Sequence, residues 1–206
     1  MKITHLHTLS TADQQILPGG NPMNVRRFLV IHYTAGWSAQ SSVDFWKTSA
    51  ARGANAHLII DRDGSAIQCR RFNMTAGHAG ASSWRDPKTG VMYRNLNHCS
   101  IGIELANSGD LGANRFPATT GCGLGGKLVP KEYLRHKDGG PMRHWEVYDP
   151  RQYSALQDIC LLLVKRYKLD DLVGHDDISP GRKTDPGPAF PMAQLRAYCG
   201  FPPMLP

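Results

Sequence analysis

The sequence predicts a single α/β domain, and three stretches of its 206 residues carry that prediction. Residues 27–33, RFLVIHY, form a nearly continuous apolar run of strand length, as expected of a strand covered on both faces. Residues 100–105, SIGIEL, alternate, so that Ile101 and Ile103 face one way and Gly102 and Glu104 the other. From about 149 to 168, Tyr153, Leu156, Cys160, Leu163, Val164 and Tyr167 fall on one helical stripe, with Asp149 placed to cap the helix and Pro150 in its first turn. The length suits one substantial core rather than two domains. Residues 1–206 therefore read as one domain with a core over about 26–200 and an insertion at about 107–148.

In chain order, the first fifteen residues lack the apolar stretch of a signal peptide, and no run approaches the roughly 18 apolar residues of a membrane span. A chain made as a soluble, cytoplasmic and monomeric product is the expectation. His32 emerges at the C-terminal end of the first strand. After the 34–36 turn, Ser41 followed by Asp44 resembles a capping signal for a helix carrying Val43, Phe45 and Trp46. Residues 56–60 form a second strand, and Asp61, Arg62, Asp63 and Gly64 make a hairpin turn into 66–70.

The stretch 107–148 is rich in glycine, proline and charge and has little periodicity, so it reads as a long loop that is either functional or a mobile, passive surface insertion. Its Lys127, Lys131, Arg135, Lys137, Arg143 and Trp145 suit a wall or lid for a long anionic substrate. After the long helix come a short strand at Leu172 and Val173, a loop over 174–188, and a last helix near 192–198.

The formal net charge of +7 points to an anionic partner without identifying it. Lysines and arginines are scattered, with no basic stripe interleaved with aromatics, which argues against nucleic acid. Five cysteines, widely spaced and without a C-x-x-C pair, argue against a disulfide framework and read as buried thiols.

The chemistry concentrates in GHDDISPGRKTDPGP, residues 174–188, a loop stiffened by Pro180, Pro186 and Pro188. Lys183 and Asp185 are two apart, so an extended backbone turns both to one side. His32, His175 and Asp185 then offer two imidazoles and a carboxylate, a set that suits zinc with an open fourth position and also suits non-haem iron.

FLVIHYTAG, ANAHLIIDRDG, AGHAGASSW, NHCSIGIELANSG and GHDDISPGRKTDPGPAF occur in order over about residues 26–198. Together they resemble the zinc-dependent N-acetylmuramoyl-L-alanine amidase family, which includes phage lysozyme-amidases, anhydromuramyl-peptide amidases of cell-wall recycling and peptidoglycan recognition proteins. The resemblance implies a mixed central β-sheet flanked by helices, with one zinc per chain in a groove over one face. It implies zinc ligands at His32, His175 and Asp185, a catalytic carboxylate at Glu104 and a transition-state cation at Lys183. His78, His57 and Trp84 are the candidate substrate contacts, with a supporting or structural role as the alternative for the two histidines and packing for Trp84, and peptidoglycan or muramyl peptides are the expected partner.

Two positions depart from the pattern. Some phage members carry a catalytic tyrosine just before the histidine of the second strand, where this chain has Ala56, so proton transfer falls to Glu104. Recycling enzymes often have a bulky aromatic before the histidine of AGHAG, where this chain has Gly77. The basic charge favours a lysin acting on polymeric cell wall. A cytosolic recycling amidase, a non-catalytic peptidoglycan-binding module and a metal-dependent oxygenase are the rival readings.

Overall fold

A computed structural model of the protein describes residues 1–112, 120–122 and 126–204. In chain order its elements are β1 (Asp13–Gln14), β2 (Phe28–Tyr33), α1 (Ala39–Trp46), β3 (Leu58–Ile60), β4 (Ala66–Gln68), β5 (Ser83–Arg85), β6 (Met92–Arg94) and β7 (Ser100–Leu105). These are followed by β8 (Asp110–Gly112), β9 (Thr120–Cys122), β10 (Leu128–His136), β11 (Gly139–Glu146), α2 (Pro150–Tyr167), β12 (Asp171–Gly174), α3 (His175–Ile178) and α4 (Met192–Tyr198). Six strands form the central sheet in the order β1-β4-β3-β7-β2-β12. Only β3 and β4 pair antiparallel, so the sheet is mixed, as expected.

The apolar run of β2 is explained by its place inside this sheet, where both faces are covered. Leu29 and Ile31 of β2 and Ile101 and Ile103 of β7 pack on Leu156, Cys160 and Leu163 of α2 in one core. Phe28, Val30 and Val173 turn to the opposite layer, with Leu96, Cys99 and Ile178. Each such side chain taken fully out of water contributes about 1.5–3 kcal/mol, so the two layers hold the sheet from both sides. The alternation read in 100–105 is therefore real: Gly102 and Glu104 lie on the face away from α2.

Helix α2 begins as its sequence indicates, with the Asp149 side chain accepting from the Arg151 N–H. Helix α1 does not: its cap is Ser38, three residues before Ser41. The Ser38 hydroxyl accepts from Ser41 N at 3.1 Å while the Ser41 hydroxyl accepts from Ser38 N at 3.2 Å, a reciprocal box that Ser41 completes from inside the helix.

The stretch 107–148 is not a structureless loop. Among its described residues lie four strands forming a second, antiparallel sheet in the order β8-β11-β10-β9. In β10 the positions turned inward are Val129, Lys131, Leu134 in part, and His136, so polar residues occupy an inner face and no apolar alternation marks the strand. Trp145 of β11 is 2% exposed, which makes it core rather than the wall residue anticipated. Cys69, Cys99, Cys160 and Cys199 are buried free thiols, and the Cys122 side chain lies outside the described residues. No helix among the described residues is long and apolar enough to cross a membrane.

Candidate metal centre

Three parallel strands of the large sheet, β12, β2 and β7, end together, and their C-terminal ends carry the titratable residues. In register, His32 lies opposite Glu104, and Gly174 opposite Ile31, which brings His175, the next residue, beside His32. Such strand ends are the usual position of sites in open α/β sheets. Asp185 returns to this edge from the loop after α3. Its carbonyl accepts from Asp176 N at 2.8 Å, and the Asp177 carboxylate closes the turn by accepting from Gly174 N at 2.6 Å. The Tyr148 hydroxyl donates to Pro186 O at 2.7 Å and holds the far side of the loop.

His32 Nδ1 and His175 Nδ1 are 3.0 Å apart, and Asp185 Oδ2 lies 2.9 Å from the first and 3.0 Å from the second. All three residues are buried. Among the described residues this is the one group of three histidine, cysteine or carboxylate ligands whose atoms converge within 4.8 Å.

The donor chemistry fits a metal ion. His175 Nε2 is 3.1 Å from the Ala79 carbonyl, which only accepts, so in the neutral ring Nε2 carries the proton and Nδ1 a lone pair. That lone pair faces a carboxylate oxygen, an acceptor against an acceptor, which a cation resolves. Ligand atoms of a tetrahedral zinc stand about 3.3 Å apart, close to the separations here.

Burial, with the neighbouring His175, pushes His32 down to about 4, so its ring is neutral at physiological pH, as a metal ligand must be. Glu104 goes the other way. Burial and the Asp185 charge push it well above the usual range, against the pull of Lys183. Its Oε2 is out of reach of solvent and has no hydrogen-bond partner among the described residues.

These groups open onto a cavity of about 480 Å³, with Glu104, Lys183 and His78 in its wall. Phe45, Trp46 and Arg182 also line it. Arg182 stood inside the 174–188 motif, but Phe45 and Trp46 read in sequence as ordinary positions of a helix with an apolar face. Two expected contacts are placed elsewhere. His57 is fully buried, with Nε2 2.9 Å from Met74 O and Nδ1 accepting from Gly102 N at 3.0 Å, so it braces β7 from behind the site. Trp84 donates from Nε1 to Asp171 Oδ2 at 3.0 Å and packs on the Phe28 layer.

Ala56 is fully buried, and a Cβ at Gly77 would collide with the Gly53 carbonyl, so backbone contact explains why no aromatic precedes His78. No described residue of 107–148 lines the cavity. The second sheet reaches the site from behind. Arg62 binds the buried Glu146 carboxylate through Nε at 3.0 Å and a terminal nitrogen at 2.7 Å. His136 Nε2 lies 3.2 Å from Asp176 Oδ2, Lys137 pairs with Asp176 and Asp177, and a Cβ at Gly187 would fall 2.9 Å from the Trp145 ring.

A sequence profile of the family described as N-acetylmuramoyl-L-alanine amidase matches residues 21–188. The 1,6-anhydro-N-acetylmuramyl-L-alanine amidase AmpD of Citrobacter freundii is 30% identical over 145 residues, covering 69% of this chain and 56% of that protein. The N-acetylmuramoyl-L-alanine amidase AmiD of Escherichia coli K12 is 34% identical over 178 residues, covering 82% of this chain and 51% of that protein. The chain thus spans little more than half the length of these curated relatives. The solved complex of E. coli AmiD with anhydro-N-acetylmuramic acid-L-Ala-D-gamma-Glu-L-Lys superposes with a TM-score of 0.62 at 25% identity, over 92% of this chain and 62% of that one.

Proposed function

The chain belongs to the N-acetylmuramoyl-L-alanine amidase family, and on that premise we propose that it hydrolyses the amide between N-acetylmuramic acid and L-alanine, using one zinc ion held by His32, His175 and Asp185. One observation carries this reading: the three ligand atoms converge at a cavity that also presents Glu104 and Lys183. Zinc bound there supplies Lewis acidity and lowers the pKa of water towards 7.

The chain's own groups do the rest. Glu104, partnerless at Oε2, takes the proton of the attacking water and delivers it to the departing L-alanine nitrogen. Its upward shift suits a group that must hold that proton between the two steps. The Lys183 ammonium stabilises the oxyanion that forms at the lactyl carbonyl. Phe45 and Trp46 provide apolar wall beside these polar groups.

The names of the relatives support an anhydromuramyl peptide as substrate. The net charge of +7 supports anionic polymer, the lysin reading. Rates on intact sacculi and on purified anhydromuramyl tripeptide, with products identified by mass spectrometry, test both. Release of a peptide beginning with free L-alanine is the expected product from one or the other. Cleavage at any other bond, or release from neither substrate, would contradict the proposal.

A further inference from the structure

We infer that the step His78-Ala79 positions both histidine ligands, fixing each imidazole in the tautomer that leaves Nδ1 bare for the metal. The inference rests on the metal site of the proposed function and concerns residues that are not ligands.

The argument starts from an atom of fixed polarity. Leu96 O can only accept, and the Ser100 hydroxyl donates to it at 2.6 Å. The one hydroxyl proton of Ser100 is thereby committed, so Ser100 Oγ can only accept from His78 Nε2, 3.2 Å away. The Ser100 carbonyl, 3.5 Å from the same nitrogen, is likewise an acceptor. His78 therefore carries its proton on Nε2 and a lone pair on Nδ1. That lone pair lies 3.0 Å from His32 Nε2, which must then be the protonated nitrogen of its ring. His32 Nδ1 is left bare, turned to Asp185 and His175.

The opposite tautomer of His78 would set a bare Nε2 against two acceptors in a buried place. An unsatisfied buried polar group costs about 1–3 kcal/mol, enough to decide between tautomers.

The second histidine is set by the next residue. Ala79 O accepts from His175 Nε2 at 3.1 Å and also receives a terminal nitrogen of Arg182 at 2.9 Å. Both residues of the step are pinned by one side chain, since Asn97 Oδ1 accepts from His78 N at 3.1 Å and from Ala79 N at 2.7 Å. Gly102 makes the room: a Cβ there would run into the His78 ring. His78 borders the cavity, but both its ring nitrogens are engaged behind it, which makes it a positioning residue on the metal side rather than a substrate donor.

Outer partners of metal-binding histidines typically contribute 10–100-fold in affinity. Zinc dissociation constants, measured by competition with a chromophoric chelator, are therefore compared for the wild type, His78→Ala, His78→Asn and Asn97→Ala. His78→Ala is expected to bind zinc about 10–100-fold more weakly. His78→Asn, whose amide oxygen can stand in for Nδ1, is expected to recover most of that loss. Asn97→Ala, which touches no ligand, is expected to fall between them. Unchanged affinity in His78→Ala, or no recovery in His78→Asn, would overturn the inference.

Ring-nitrogen NMR of the zinc-loaded wild type gives a reading independent of variant folding. A proton on Nε2 of His78 supports the relay, and one on Nδ1 overturns it. Zinc bound with these tautomers but no amide hydrolysis would sink the amidase reading alone and leave the positioning role standing.

Discussion

The six-stranded and the four-stranded sheets of this molecule are built on opposite plans. In the six-stranded sheet, β2 and β7 are buried along nearly their whole length and bring His32 and Glu104 level with each other at their ends. In the four-stranded sheet, β10 alternates between exposed and buried positions, and its inner face includes Lys131 and His136. The first sheet brings His32 and Glu104 to the cavity. Among the described residues the second supplies none to the cavity, and it grips the 174–188 loop through His136, Lys137 and Trp145. The proposed chemistry thus sits at the ends of strands buried on both faces, and the flanking sheet contacts the loop behind it.

Substitutions should separate the two plans. The largest effect is expected for Asp185→Ala, which removes a ligand and should lose bound zinc together with all turnover. Metal analysis of the purified variant checks it, and retained stoichiometric zinc would remove Asp185 from the ligand set. Glu104→Gln should instead keep its zinc and lose hydrolysis, because it deletes a proton acceptor and not a ligand. Lys183→Ala should keep its zinc and lower kcat by about 10²–10³, the usual effect of losing one oxyanion donor. Near wild-type turnover in either would free that residue from its role.

The bracing sheet should answer in stability. Trp145→Ala should lower unfolding free energy by about 3–5 kcal/mol, as for other buried large aromatics, while the chemical step survives in whatever fraction stays folded. Denaturant unfolding and kcat per folded molecule measure this, and a normal midpoint would show that the sheet braces nothing.

The smallest effect concerns pH. Burial and Asp177 push Asp176 up to about 6, against Lys137 and His136. An acid whose folded pKa lies above its unfolded value stabilises the fold at low pH and loses that contribution as pH rises through the folded pKa. Metal-free wild type should therefore lose stability relative to Asp176→Asn between about pH 4 and 6, and a flat difference over that window would refute the assignment.

The contrast between the sheets also explains what the sequence disclosed. Strand β2 is legible as a continuous apolar run, β7 by its alternation and helix α2 by its apolar stripe. The second sheet is not, because its inward positions are partly polar and its strands therefore carry no apolar signature. The start of α1 was misplaced by three residues because Ser38 and Ser41 cap reciprocally, and either serine alone looks like a cap. His32, His175 and Asp185 were legible through the motifs that carry them, whereas their convergence depends on strand register. His57 and Trp84 had the residue types of contacts, but burial behind β7 and in the Phe28 layer gives them structural partners instead. Asn97 and Ser100 gave no signal, since what they do depends on the polarity of hydrogen bonds that exist only in the folded chain.

The most direct test of the central claim is to strip the protein with a strong chelator, then titrate zinc back while following release of peptide from a purified muramyl peptide. Activity lost with the metal and restored at one equivalent of zinc per chain is the predicted result. Full hydrolysis by the metal-free protein would contradict the account.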